Sequence, residues 1–188
     1  MKVRSEDGFG LIEVLIAIVM MNVGILALVA AFQSGSVALR RSSHISTAST
    51  IADAQMEGYR ALQYVNIGFD TSQIAGLDNT YKCDAVLGGS CPNTITTCNS
   101  GGLSCANGTV PTYTCGTINQ CLPSRTVNAG SSPPSPDHYS YRVDTYIVYT
   151  TPSTGNQLKL VTVVVRDGNN LSKIFARESS TFDATVSG

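Results

Sequence analysis

Two sets of residues in this chain have types and spacings from which chemistry could be built. One is Glu13, a carboxylate inside an apolar run, four residues after Phe9 and five after Gly8. The other is Cys83, Cys91, Cys98, Cys105, Cys115 and Cys121, six thiols grouped in one part of the sequence. The cysteine spacings contain no C-x-x-C pair, and neither His44 nor His138 falls among them. Zinc sites normally bring close ligand pairs, so these thiols read as disulfide partners rather than metal ligands. Disulfides imply an oxidising compartment outside the cytoplasm, and the spacings do not select a pairing.

No other set of residues assembles an active site. His138 follows Asp137 and reads as a solvated loop histidine, and His44 stands beside Arg40 and Arg41 on what reads as a polar helix surface. There is no G-x-S-x-G nucleophile motif and no glycine-rich loop leading from a strand into a helix. Asp53, Glu57 and Arg60 follow helical spacing and read as ordinary surface charge. We therefore expect no enzyme, no catalytic residue, no cofactor and no metal.

The element that must position Glu13 is the run around it. Leu11 to Phe32 is apolar or small except for Glu13 and Asn22. At about 1.5 Å per residue, a helix of that length crosses a bilayer core of about 30 Å. The preceding MKVRSEDG carries Lys2 and Arg4, which would stay cytoplasmic and set the C-terminal part outside. A secretory signal would instead be cut after the run, at Val29-Ala30-Ala31, so that the chain starts at Phe32. Against that, the run exceeds the usual signal core of about 7–15 residues and holds a carboxylate. A charge at the centre of a spanning helix costs about 2.5–3.5 kcal/mol, and an uncleaved anchor meets the same cost. Near the helix start, interfacial water and the helix dipole reduce it.

Gly8-Phe9-Gly10-Leu11-Ile12-Glu13-Val14 resembles the N-terminal motif of the type IV prepilin family, a glycine followed by Phe-Thr-Leu-Ile-Glu. Gly10 departs from it, since the family most often has Thr there, and glycine lowers helix propensity in the first turn. The continuation LIAIVMMNVGILALVAAFQSG is similar to the PilV-like minor pilins, and the resemblance reaches to about residue 50. It implies cleavage after Gly8 by a membrane prepilin peptidase, N-methylation of Phe9, and a role for Glu13 in subunit assembly. The new amine would lie four residues from Glu13 on the same helical face, where it could partly neutralise the carboxylate. In an assembled filament of this family the amine meets the glutamate of a neighbouring subunit. The plainer alternative is a Glu13 that reaches the interface and does nothing more.

Beyond the apolar run, Val37, Ile45, Ala48, Ala52, Met56 and Tyr59 continue an apolar stripe at three- and four-residue spacing, predicting helix to about Leu62. No proline precedes Pro92; Gly24 and Gly35 are the weak points of the helix. Residues 63–138 lose periodicity, and Gly88 to Pro136 is rich in Gly, Ser, Thr, Asn and Pro. We read it as a disulfide-stapled insertion, with candidate short strands at Thr94–Thr97 and Pro111–Cys115. From Tyr139 the period becomes two: Tyr139, Tyr141, Val143, Thr145, Ile147 and Tyr149 would share one strand face. A turn at Pro152–Asn156 leads into Leu158–Arg166, and Asp167-Gly168-Asn169-Asn170 reads as a hairpin turn before a strand from Leu171 to about Ser179. The tyrosines read as ordinary strand residues rather than a platform for single-stranded nucleic acid.

The expected fold is α+β: a long helix, hydrophobic then amphipathic, packed on a small antiparallel sheet as in pilins, with a disulfide-rich loop. The expected divisions are a leader at 1–8, a transmembrane or filament-core half-helix at 9–34, and an extracytoplasmic globular domain at 35–188. The last comprises helix 35–62, a Cys-rich insertion at 83–121 and strands at about 139–180. The resemblance implies a minor, PilV-like subunit of a type IV pilus or related filament, placed at initiation or at a tip for adhesion or DNA uptake. Its partners would be other pilins, the prepilin peptidase and the inner-membrane assembly platform. The chain would sit in the inner membrane before assembly and in an extracellular filament after it. With a net charge of −1 and no dense Lys/Arg run, nucleic acid is not indicated. The alternatives are a type II secretion pseudopilin and, from another class, a secreted disulfide-rich binding module released by signal peptidase.

Overall fold

The computed structural model describes residues 10–64, 67–69, 76–87, 122–150 and 158–183. One helix, α1, runs from Leu11 to Arg60 without a break through Gly24 and Gly35. A short helix α2 (Asn79–Lys82) and a 3-10 turn (Ala85–Leu87) precede four strands: β1 (Ser124–Val127), β2 (Tyr141–Thr150), β3 (Leu158–Asp167) and β4 (Ile174–Asp183). The strands form one antiparallel sheet in the order β1-β2-β3-β4. The fold is α+β, as expected. The chain divides into two compact units, Met1–Ser43 and His44–Gly188.

In the second unit, the α1 residues Ala48, Ile51, Ala52, Met56 and Tyr59 join Val127, Tyr141, Val143, Ile147, Val161, Val163 and Val165 in the core. These strand residues share one face because side chains alternate along a strand, and the register pairs Val143 with Val165 and Ile147 with Val161. The stripe predicted for the helix is therefore right from Ala48 onward. Val37 and Ile45, which were expected to belong to it, are exposed. Gln55 joins the buried side instead, its Oε1 accepting from Arg125 Nε at 3.1 Å.

Several boundaries differ from expectation. The helix ends at Arg60, where Ala61 and Leu62 still turn back to Glu57 and Tyr59 through their amides. β1 lies in a stretch expected to be insertion, since four residues are too few to show a period. β4 starts at Ile174 rather than Leu171. The connection is wider than a four-residue turn, closed by Asp167 N donating to Lys173 O and by Asn170 N donating to Asp167 O. Candidate strands Thr94–Thr97 and Pro111–Cys115 and the turn at Pro152–Asn156 lie outside the described residues.

The larger difference concerns the sheet's second face. A meander was expected to need cover on one side, yet Asp144, Tyr146, Thr162, Val164 and Arg166 are buried as well as their neighbours. The cover is the segment 77–87, which carries α2 and the 3-10 turn. Tyr81 is fully buried, stacks on Tyr146 at 4.4 Å between ring centres, and donates its hydroxyl to Thr145 O at 2.6 Å. Aromatic pairs at such spacing contribute about 0.5–1.5 kcal/mol beyond the area they bury. We call this segment the strap.

Candidate functional site

Glu13 stands in the first turn of α1, which opens with Glu13 N and Val14 N donating to Gly10 O at 2.9 and 3.3 Å. Around it Leu11, Ile12, Val14, Leu15, Ile16, Ile18, Val19 and the apolar residues on to Phe32 are all exposed within this chain. A helix this rich in exposed leucine, isoleucine and valine needs an apolar surrounding, because each such side chain left in water forgoes about 1.5–3 kcal/mol. Among the described residues α1 is the one helix long and apolar enough to cross a membrane, a test that a signal sequence near the N-terminus also passes. Gly8 and Phe9, the expected cleavage and methylation positions, lie outside the described residues.

Of the six cysteines, Cys83 is described and is disulfide-bonded. Cys91, Cys98, Cys105, Cys115 and Cys121 lie outside the described residues. Cys83 follows α2 at the centre of the strap, and its amide donates to Asn79 O and Tyr81 O. Among the described residues no group of three His, Cys, Asp or Glu side chains is placed to hold a metal.

Around Cys83 the structure builds a charge ladder that sequence reading did not anticipate. Asp78 caps α2, accepting from Tyr81 N at 3.0 Å, and is bridged by both terminal nitrogens of Arg142. Arg142 Nε reaches Asp144 Oδ1 at 2.8 Å, and Asp144 Oδ2 accepts from Arg166 Nε at 3.0 Å. Arg166 Nη2 pairs with Asp84 Oδ2, and Asp84 Oδ1 accepts from Arg177 Nη2 at 3.0 Å. Ser124 Oγ completes Asp144 at 2.7 Å. Carboxylate and guanidinium thus alternate across β2, β3 and β4, with the strap supplying Asp78 and Asp84. Asp144 and Asp84 are 0% and 2% exposed at their side chains, and Arg166 is 6% exposed. Such burial is sustainable because each charge meets an opposite one with hydrogen-bond geometry; removing one partner alone typically costs about 3–5 kcal/mol. The Arg142 guanidinium beside Asp78 holds that carboxyl below its usual range, against the opposing effect of partial burial. A sequence signal did exist: Asp144 and Arg166 interrupt otherwise apolar strand residues, and charges in such runs are rarely buried unless paired.

A second polar centre joins α1 to the sheet. His44 was expected to lie on a free helix surface, but its side chain is only 26% exposed. Its Nδ1 lies 3.0 Å from Asp137 Oδ2 and 3.1 Å from the Tyr141 hydroxyl, which donates to the same carboxylate oxygen at 2.6 Å. The ring packs 4.3 Å from Tyr139, whose hydroxyl donates to Asp167 at 2.9 Å. Burial would raise Asp137, but the hydrogen bonds from Tyr141 and His44 outweigh it and hold the carboxyl below its ordinary value. Burial also raises Tyr141, and donation to Asp137 adds to the rise. His138 is exposed and adopts a left-handed backbone at φ 58°. Tyr141 and Tyr146 are fully buried and present no ring on which a base could stack.

Glu13 and the Cys83 strap lie on different elements and in different compact units. The described part of the chain therefore holds an apolar helical segment with one acidic residue and, separately, a folded unit with two internal polar centres. No protein-family model, curated protein or solved structure matches the chain.

Proposed function

We propose that this chain is a pilin-like structural subunit, assembled through its N-terminal helix into a type IV pilus or a related filament. The observation that supports it is the composition of α1: one uninterrupted helix whose first half is apolar and exposed, with Glu13 in its first turn, and whose last turns are buried under a sheet. An ordinary core helix has no use for the first half, and a plain anchor has no use for Glu13. Cleavage after Gly8 frees Phe9, whose amine compensates the carboxylate in the membrane and then in a neighbouring subunit. Transfer from lipid to filament exchanges one apolar contact for another, so the net drive is small and an assembly motor is required. The assignment to a minor, PilV-like subunit follows the residues after Glu13. The remaining cysteines would lie in the disulfide-rich insertion that follows.

The test is the N-terminus of the mature protein. An N-methylated Phe9 is expected, and replacement of Gly8 is expected to leave the chain at its unprocessed mass. A mature chain that starts at Phe32 would overturn the proposal in favour of a secreted binding module. Processing at Phe9 in a strain whose pili lack the protein but whose secretion depends on it would assign a pseudopilin instead.

A further inference from the structure

The charge ladder has a consequence for the cysteines. Cys83 lies between two anchored positions: Asp78, five residues before it and paired to Arg142, and Asp84, the next residue, held by Arg166 and Arg177. Tyr81, two residues before it, is locked between Tyr146 and Thr145 O. The backbone that carries the sulfur is thus placed against the sheet by contacts in which the sulfur takes no part. Arg142, Asp144, Arg166 and Arg177 all belong to strands, so the ladder reads the strap's position against the sheet. A slip of the strap by one residue would take Asp84 off Arg166 and Arg177, leaving the buried Arg166 with one carboxylate, Asp144, in place of two and the buried Asp84 without its guanidinium partners, which is unfavourable. Fixing register is the best-attested use of buried polar and ionic groups.

We propose that this ladder docks the strap before oxidation and so selects which cysteine Cys83 joins. With six thiols in the chain, a free strap would pair by chance and loop length. A docked strap offers Cys83 from one place only. The chemistry is ordinary thiol–disulfide exchange with an external disulfide oxidant. The Cys83 thiolate attacks the oxidant's disulfide, forms a mixed disulfide and expels one thiol. The partner thiolate then attacks the Cys83 sulfur and expels the second. Two protons and two electrons leave the protein, and one oxidant disulfide becomes two thiols. Ladder residues supply no proton in either step; they position.

The test uses the full chain in detergent micelles, reduced and then oxidised in a glutathione redox buffer, with free thiols trapped by alkylation. Disulfide-linked peptides are identified by mass spectrometry. Wild type is expected to give one Cys83-linked peptide. In Asp84→Asn that peptide is expected to fall at least threefold, with the difference appearing as other Cys83 pairings. An unchanged single peptide in Asp84→Asn would overturn the proposal. Because that variant could fail to fold, Cys83→Ser supplies an independent decision by amide hydrogen exchange. Docking without the bridge predicts that the strap amides of Tyr81, Asp84 and Val86 keep at least a third of their wild-type protection in Cys83→Ser. Loss of that protection while the sheet amides stay protected would show that the bridge places the strap, and would reject the proposal.

Discussion

Lys159 shows how one buried charge ties two elements together. Its Nζ donates to Tyr64 O at 2.8 Å and Ile67 O at 2.6 Å, holding the chain that leaves α1 against β3. The Tyr64 ring lies 4.5 Å from the same nitrogen, and Lys159 is 4% exposed. Burial lowers its pKa from 10.5 to about 8. Between those values the unfolded chain holds a proton that the folded chain has released, so stability rises with pH across that window. Tyr59, Tyr141 and Tyr146 act in the opposite sense, since burial raises each above its ordinary 10.0. Their contribution is complete below pH 10 and is lost as pH rises beyond it. Urea midpoints measured from pH 7 to 11 should therefore climb above pH 8 and fall again above about pH 10. Lys159→Met should remove the climb and, by taking the ammonium donor away from the buried Ile67 carbonyl, cost about 1–3 kcal/mol at pH 7. A wild-type profile flat between pH 8 and 10 would contradict this account.

At the scale of elements, the β3–β4 connection is set by a close approach that only glycine permits. A methyl group on Gly168 would stand 2.5 Å from Ser140 Oγ and 2.8 Å from Ser140 O, the oxygen that accepts from Gly168 N at 2.9 Å. Backbone on one side leaves little room to yield. Gly168→Ala should destabilise the folded unit by about 1–3 kcal/mol, the usual cost of overpacking, in chemical denaturation. It should leave the helicity of Leu11–Ser43 unchanged, because that stretch belongs to the other compact unit. The strap is a different kind of element. It has only α2 and one 3-10 turn as regular structure, too short to be stable alone, and owes its place to Tyr81 and to the ladder.

For the whole molecule, apolar surface is divided between two purposes. In the second unit it is buried under both faces of the sheet, whereas in Leu11–Phe32 it remains exposed within a single chain. On the pilin proposal the second set is satisfied by lipid first and by other helices afterwards, and Glu13 sets the axial register of that packing. Glu13→Ala should then leave processing at Gly8 intact while lowering incorporation into filaments about tenfold, the equivalent of about 1.4 kcal/mol per subunit. Immunoblots of sheared filaments against whole-cell levels measure this. Full incorporation of the variant would show that the register pair is dispensable.

The local patterns were legible wherever a single period governs burial. The apolar run, the buried turns at Ala48, Ala52, Met56 and Tyr59, and the β-branched stretch of β3 each follow from side-chain spacing along one element. Within β2, alternation described only the face that meets α1. Asp144 and Tyr146 fall on the strand's other face, and they are fully buried because the strap covers them. No period could show this, since Asp78 and Arg142 are 64 residues apart, Arg166 and Asp84 are 82, and His44 and Asp137 are 93. The sequence by itself determined that there is a spanning-length helix with a carboxylate near its start, followed by an antiparallel sheet. Only the tertiary structure decided which charges are buried together, because an ion pair in a core depends on two distant segments arriving at the same depth with opposite sign.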